Sequence, residues 1–351
     1  MIYSISVSSG LESLARKEIL ARYGDRNNLK ILKREPQKIV FQFNGNPKDL
    51  LEIRTAEHLH IIAKHITGMT RSRQSLTAIR NAISRLNLQD LVYRCRQTGM
   101  RLRKRIPFRV ICRMSGQRNF QKRDLQQVVE KVFINRGWQL TRSESGLDIL
   151  VELHGGDVYI SIRISKQYWG ERIQKQTRIA HSIKSTIAYG MVSLSQPHPN
   201  DVFLDPMCGA GTILLERAYS GRYRYLIGGD ISTESLDATK VNFGRQHQPR
   251  QFFQWEAQKL PIQQNAVDRI VCNMTINTGT REAVSEISNF YGNALHQFEN
   301  VLKPKGRMVL LTLDPLQLDK RIRQHNNLRV RQKVNVDVSG KRGRIFVIYH
   351  I

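Results

Sequence analysis

Acidic residues are scarce in this chain. Over 351 residues, 29 Asp and Glu stand against 56 Lys and Arg, a formal net charge of +27. Cysteine is scarcer: Cys95, Cys112, Cys208 and Cys272 form no CxxC pair, which excludes a disulfide scaffold and points to a reducing, cytoplasmic setting. No apolar run approaches the roughly 18 residues of a membrane span. The start MIYSISVSSGLESLARKEI puts no basic flank before an apolar stretch, so no secretory leader is expected. The ten histidines show no metal-ligand spacing, and His58 and His60, two apart, are expected at the surface; no metal site is expected. Neither a GxGxxG nor a GxxxxGK[ST] sequence occurs, which excludes the dinucleotide fingerprint and the phosphate-cradling loop. Internal repeats and low-complexity tracts are absent as well.

What is present suffices for a folded protein. Hydrophobic residues make up 40 % and charged residues 24 %, and the length suits two or three domains at roughly 100–200 residues each. The charge is unevenly spread. Residues 1–180 carry 34 Lys and Arg against 15 Asp and Glu, a net of +19; the remainder carries +8. The densest stretch holds Arg94, Arg96, Arg101, Arg103, Lys104, Arg105, Arg109, Arg113, Arg118, Lys122 and Arg123 with no acid among them. Eleven cations in thirty residues repel one another unless phosphates neutralise them, so nucleic acid is the expected partner. Phe108 and Phe120, inside this stretch, are expected in the core, whereas Tyr168 and Trp169 are stacking candidates.

Three zones follow from the hydrophobic pattern. In residues 1–66, the alternating IYSISV reads as a strand, and LESLARKEILARYG as a helix stopped by Gly24. Strands follow at 29–32 and 38–43, then a helical stretch over 48–66, an α+β order. Residues 67–166 repeat the mixture: helix 75–88, strand 107–113, helix 123–136, and strands 147–153 and 157–164 joined at Gly155-Gly156. Residues 167–185 read as a polar linker. Over 186–351, short apolar strands (VFLD, YLIGGD, RIVCN, RMVLLTLD) alternate with helices, the grammar of a parallel α/β sheet, and the tail adds two strands as an antiparallel edge.

The chemistry concentrates after VFL, in Asp205-Pro206-Met207-Cys208-Gly209-Ala210-Gly211-Thr212. Glycines at the carboxyl end of a strand let a ligand approach the backbone, and the following helix offers free N–H groups. The next strand ends in Asp230, where an acid holds a ribose hydroxyl pair. Together they read as an S-adenosylmethionine pocket, with Cys208 as a small packing residue.

DPMCGAGTILLERA resembles the first motif of the THUMP-domain RNA methyltransferases. GLESLARKEI resembles the opening of their ferredoxin-like domain. FRVICRMSGQRNF and LDILVELHGGDVYISIRIS resemble the THUMP module. The resemblance covers nearly the whole chain and is nearest to the tRNA guanine-N2-methyltransferases. It implies a ferredoxin-like domain at 1–66, a THUMP RNA-binding domain at 67–166 and a Rossmann-like methyltransferase domain at 186–351.

The resemblance also assigns residues. It sets Gly209 and Gly211, with Cys208 and Thr212 of the same loop, beside the cofactor's amino-acid part and Asp205 near its amino group. Asp230 falls at the ribose and Glu256 at the adenine, with Ile231 and Ala257 next to them as further cofactor-binding residues. Asn273 opens the catalytic motif and contacts the cofactor. RNA would be held by Arg94, Arg96, Arg101, Arg103, Lys104, Arg105, Arg118, Lys122, Arg123, Tyr168 and Trp169.

The catalytic motif departs from the family. Where that family has Asn or Asp, two residues including a proline, and an aromatic, this chain reads Asn273-Met274-Thr275-Ile276. Asn273 can still accept from an amine, but Met274 and Thr275 do not set the backbone as proline does, and Ile276 has no π-face. The expected activity is S-adenosylmethionine-dependent methylation of a guanine exocyclic nitrogen in tRNA, with slower chemistry than the family pattern. The alternatives are an RNA-binding scaffold without turnover and a ribosomal-RNA methyltransferase. Catalysis by alignment of nucleophile, methyl and sulfur requires no metal and no Ser-His-Asp arrangement. The sequence leaves monomer and homodimer equally open.

Overall fold

The structure is a computed structural model that describes residues 1–24, 28–166, 169–171, 175–177, 179, 182–275 and 283–351. It divides into two compact units, Met1–Val7 with Ala15–Trp169, and Ser8–Leu14 with Gly170–Ile351.

The first unit contains β1 (Ile2–Val7), α1 (Glu12–Tyr23), β2 (Leu29–Glu35), β3 (Lys38–Phe43), β4 (Ala56–Ile66), α2 (Gln74–Ser84), α3 (Leu88–Gln97), β5 (Pro107–Met114), α4 (Lys122–Asn135), β6 (Gln139–Leu140), β7 (Leu147–His154) and β8 (Asp157–Arg163). The eight strands form one sheet in the order β2-β3-β1-β4-β8-β7-β5-β6. Alternation sorts its two faces. Tyr3, Ile5, Ile39, Phe41, Leu59, Ile61, Ile149 and Ile160 enter one core with the apolar sides of α2, α3 and α4. Phe108 and Phe120 lie in that core, as the sequence predicts. The alternate positions are polar and paired: Arg109 and Arg163 converge on Asp148, and Lys38 meets Glu152.

Four sequence expectations differ from the structure here. Residues 48–66 are not a helix but a single 3-10 turn, Asp49–Glu52, followed by β4. β4 is a strand because it has hydrogen-bonding neighbours on both sides, β1 and β8, neither adjacent to it in sequence. Through the β4–β8 pairing, residues 1–66 and 67–166 share one continuous sheet and fall in one unit rather than two. His58 and His60 on β4, unlike the exposed His65 of the same strand, are not surface residues either: His60 is 5 % exposed and His58 half-buried. Burial depresses both imidazoles below their usual pKa, with Arg163 and Arg113 adding to the effect. The helix expected over 75–88 is α2 and ends early, at Ser84; Leu88 opens the next helix, α3, which Asn87 caps by accepting the Asp90 N–H at 3.0 Å.

The second unit contains α5 (Ser185–Leu194), β9 (Val202–Asp205), α6 (Thr212–Tyr219), β10 (Tyr225–Asp230), α7 (Thr233–Phe243), β11 (Arg250–Gln254), β12 (Val267–Asn273), α8 (Ala283–Val301), β13 (Leu302–Thr312), α9 (Pro315–Ile322), β14 (Leu328–Val338) and β15 (Lys341–His350). Its sheet runs β11-β10-β9-β12-β13-β15-β14, with the first five strands parallel and β14–β15 an antiparallel edge. This is the predicted α/β, Rossmann-like architecture. Apolar clusters pack on both faces of the sheet, as a parallel sheet requires. Strand order reverses between β9 and β12, and in open α/β sheets the crevice at the carboxyl ends beside such a reversal takes the ligand. Among the described residues, no helix is long and apolar enough to cross a membrane.

Candidate active site

Asp205 closes β9 at that reversal. It is fully buried; its Oδ1 accepts the Met207 N–H at 3.3 Å, and its Oδ2 has no partner among the described residues. Burial raises its carboxyl well above the usual range, against the pull of the Met207 bond and with a further push from Asp230. The loop beyond it turns through two left-handed glycines. Gly209, at φ +52°, has open space where a Cβ would stand, whereas at Gly211, φ +77°, a Cβ would crowd Thr239 at 3.0 Å. The first leaves room for a ligand and the second lets α6 close onto α7. Thr239 Oγ1 donates to Gly209 O at 2.6 Å, and Asn242 Nδ2 donates to Ala210 O at 3.0 Å, so α7 fixes the loop. Cys208 is a buried packing residue whose thiol burial pushes up.

Asp230 has a second task besides the one expected of it. Its Oδ2 accepts the Gly209 N–H at 2.9 Å and its Oδ1 the Ser232 N–H at 3.0 Å. The acid thus ties the end of β10 to the glycine loop, and each oxygen keeps a lone pair for a further donor. Beside it Ile231 is 65 % exposed, and Glu256 is exposed after β11 while Ala257 is buried. Between them lies an aromatic wall that the sequence reading missed. Trp255 donates its indole N–H to Pro206 O at 3.1 Å, and Phe253 stacks on it with ring centres 5.5 Å apart. A Cβ at Gly229 would fall 1.9 Å from the Trp255 ring. Gly229→Ala is therefore expected to destabilise the second unit by about 1–3 kcal/mol, measurable by urea denaturation; an unchanged midpoint would contradict this packing.

Asn273 ends β12, the neighbour of β9 across the reversal. Its Oδ1 is buried and, among the described residues, without a partner. The following residue is held from two sides: Met274 N donates to Leu311 O at 2.8 Å, and Met274 O accepts the Tyr291 hydroxyl at 3.4 Å. Ile276 lies outside the described residues. The linker contributes too. Lys175 Nζ donates to Thr212 Oγ1 at 2.5 Å, and Thr177 exchanges hydrogen bonds with Asn242 at 3.0 and 2.9 Å. Only the run of polar residues marked this segment in the sequence.

The basic residues of the first unit separate into two groups. Arg96, Arg101, Arg103, Lys104, Arg105, Lys122 and Arg123 are exposed. Arg94 is half-buried and paired with Asp90 at 2.6 Å; Arg118 donates to the Thr70 and Gly155 carbonyls, bracing loops. Trp169 is half-buried, with its indole N–H on Leu51 O at 3.1 Å. Its ring borders a groove of about 930 Å³ together with Arg101, Arg103 and Lys166. Tyr168 lies outside the described residues. No His, Cys, Asp and Glu cluster able to hold a metal occurs among the described residues.

Comparison with known proteins bears on the second unit first. Residues 172–344 match the model of the RMKL-like methyltransferase domain family, UPF0020. Mouse tRNA (guanine(6)-N(2))-methyltransferase THUMP3 is 29 % identical over 270 residues, covering 68 % of this chain and 51 % of its own length. The tRNA (guanine(6)-N2)-methyltransferase of Thermus thermophilus is 25 % identical, covering 69 % of this chain and 72 % of its own. The chain spans about half the length of the mammalian relatives it matches. Among solved structures, TrmN from Thermus thermophilus superposes with a TM-score of 0.85 at 21 % identity, covering 100 % of this chain and 99 % of its own, a likeness of fold.

Proposed function

We propose that the chain is an S-adenosylmethionine-dependent RNA methyltransferase that modifies the exocyclic N2 of a guanine in tRNA, with the basic first unit, read as ferredoxin-like and THUMP modules, holding the RNA. One observation carries this reading: two buried acceptors without partners among the described residues, Asp205 Oδ2 and Asn273 Oδ1, stand at the carboxyl ends of adjacent parallel strands. A buried polar atom without a partner calls for an explanation, and the place of these two at the strand reversal, where such sheets take their ligand, points to a bound molecule. The residues fit the cofactor. Asp205 suits its ammonium, the open side of Gly209 its amino-acid part, Asp230 its ribose hydroxyls, and Ile231, Phe253 and Glu256 its base. Bound there, the cofactor supplies a sulfonium methyl. Asn273 accepts an N–H of the incoming amine, which aims the nitrogen lone pair and disperses the positive charge that develops on it.

The relatives named as tRNA guanine-N2-methyltransferases support the choice of base and RNA. A scaffold without turnover is not favoured, because the backbone after Asn273 is pinned by Leu311 and Tyr291 despite the missing prolines. Incubating the full chain with tritiated cofactor and unmodified tRNA transcripts, followed by nucleoside mass spectrometry, tests the proposal. N2-methylguanosine in tRNA is expected, and absence of incorporation into any transcript would sink it.

The two groups of cations should also behave differently. Arg103→Ala and Arg101→Ala are each expected to weaken tRNA binding and to lower the slope of log affinity against log salt by about 1. Arg118→Ala is expected to lower the melting temperature and leave the slope unchanged. Filter binding between low and moderate salt decides; equal slopes for the parent and the Arg101 and Arg103 variants would remove this face from the interface.

A further inference from the structure

The turn after β12 is held by a directed line of hydrogen bonds. Thr312 Oγ1, at the end of β13, accepts the Asp314 N–H at 2.8 Å and lies 2.7 Å from Tyr291 Oη. Tyr291, on α8, lies 3.4 Å from Met274 O, and Tyr291, Thr312 and Met274 are all fully buried. Each hydroxyl has one proton to give. With Met274 O able only to accept, Tyr291 gives it the phenolic proton and takes the Thr312 proton in return. The order of donation is then Asp314 N–H to Thr312, Thr312 to Tyr291, Tyr291 to Met274. Burial pushes the Tyr291 phenol up to about 12, so that proton stays in place at neutral pH.

The consequence falls on Asn273. Met274 N–H belongs to the peptide plane shared with Asn273, and Met274 C=O belongs to the next plane. Leu311 holds the first and Tyr291 the second, which together fix the φ and ψ of Met274. Proline at 274 would set φ alone and would lose the N–H that Leu311 accepts. Tyr291 takes one lone pair of the Met274 carbonyl and leaves the other for an amine N–H.

We propose that Tyr291 and Thr312 are positioning residues for methyl transfer, holding the Met274 carbonyl and Asn273 Oδ1 at the angle the target amine must meet. The inference rests on the function proposed above. Its test compares Tyr291→Phe, Thr312→Val and Thr312→Ser with the parent, using the full chain, tritiated cofactor and a tRNA transcript. Tyr291→Phe and Thr312→Val are expected to lower kcat about ten- to a hundredfold. KM for tRNA and the affinity for S-adenosylhomocysteine should stay within about twofold, and Thr312→Ser, which keeps the hydroxyl, should restore kcat. Deuterium exchange over residues 271–275, read without turnover, should accelerate in Tyr291→Phe. A Tyr291→Phe kcat within about twofold of the parent overturns the proposal. So does a loss of kcat, cofactor-product affinity and melting temperature in step across all three variants. If the parent methylates no RNA, the functional reading itself fails; unchanged exchange over 271–275 in Tyr291→Phe rejects the pin independently.

Discussion

Asn273→Ala is expected to lower kcat for methyl transfer by about 10²–10³-fold, the size seen when one preorganised partner of a developing charge is removed. The side-chain oxygen it deletes is buried at the end of β12 and has no partner among the described residues, so its removal costs the fold little. The strand holds its backbone: Asn273 lies opposite Leu311 in the parallel β12–β13 ladder, and Met274 N–H closes on the Leu311 carbonyl. The loss should therefore appear in kcat, while S-adenosylhomocysteine affinity and melting temperature stay near those of the parent. Asn273→Asp separates two accounts of the role. If the oxygen only accepts a hydrogen bond, the aspartate keeps much of the rate; if the amide NH2 also positions a group, it does not. Single-turnover kinetics at saturating cofactor make the measurement, and a parent-like rate for Asn273→Ala would remove Asn273 from the site.

What the sequence revealed and what it hid differ by the distance over which the information is carried. Asp205, Gly209, Gly211 and Asp230 sit in consecutive strand–loop–helix–strand segments, so their spacing in the chain is nearly their arrangement in space. β4 is the opposite case. EHLHIIAKHI carries no clean alternation, and its identity as a strand comes from β8, about a hundred residues later. Arg118 reads as one more cation in a basic run until its partners are seen, the Thr70 and Gly155 carbonyls, 48 and 37 residues away. The turn after Asn273 shows the same limit most clearly. Proline is visible in a sequence as a rigid turn, but a hydrogen bond to the Leu311 carbonyl and one from the Tyr291 hydroxyl are not. From sequence alone, Met274 in place of proline therefore reads as loosened chemistry. In the structure the turn is held by other means, and Met274→Pro is expected to lower kcat for the proposed methyl transfer.

Cofactor affinity is expected to fall steeply as pH drops, because Asp205 must lose a proton to meet an ammonium. Burial raises its carboxyl well above the usual carboxylate range in the free protein. Below that raised pKa, binding the cationic amino group must expel the proton, which costs about tenfold in affinity for each pH unit. At the alkaline end, affinity falls again as the ligand's own α-ammonium deprotonates, at a pH above that of a peptide amino terminus because a free carboxylate stands beside it. The profile is a bell whose acid limb belongs to Asp205. Stability of the free protein runs in the opposite sense. The folded state binds the Asp205 proton more tightly than the unfolded state, so between the unfolded and folded pKa values stability declines as pH rises. Above that window the folded protein carries a buried carboxylate that only the cofactor's charge relieves. Asp205→Asn imitates the protonated form. It should raise the melting temperature of the free protein at neutral pH, reduce S-adenosylhomocysteine affinity by about 10²-fold or more, and flatten the acid limb. Calorimetric titration of S-adenosylhomocysteine from mildly acidic to mildly alkaline pH measures the affinity and its acid limb in both proteins, and thermal denaturation measures the gain in stability. An affinity in the parent that ignores pH on the acid side, or an Asp205→Asn variant that binds as the parent does, would show that Asp205 does not hold the ammonium.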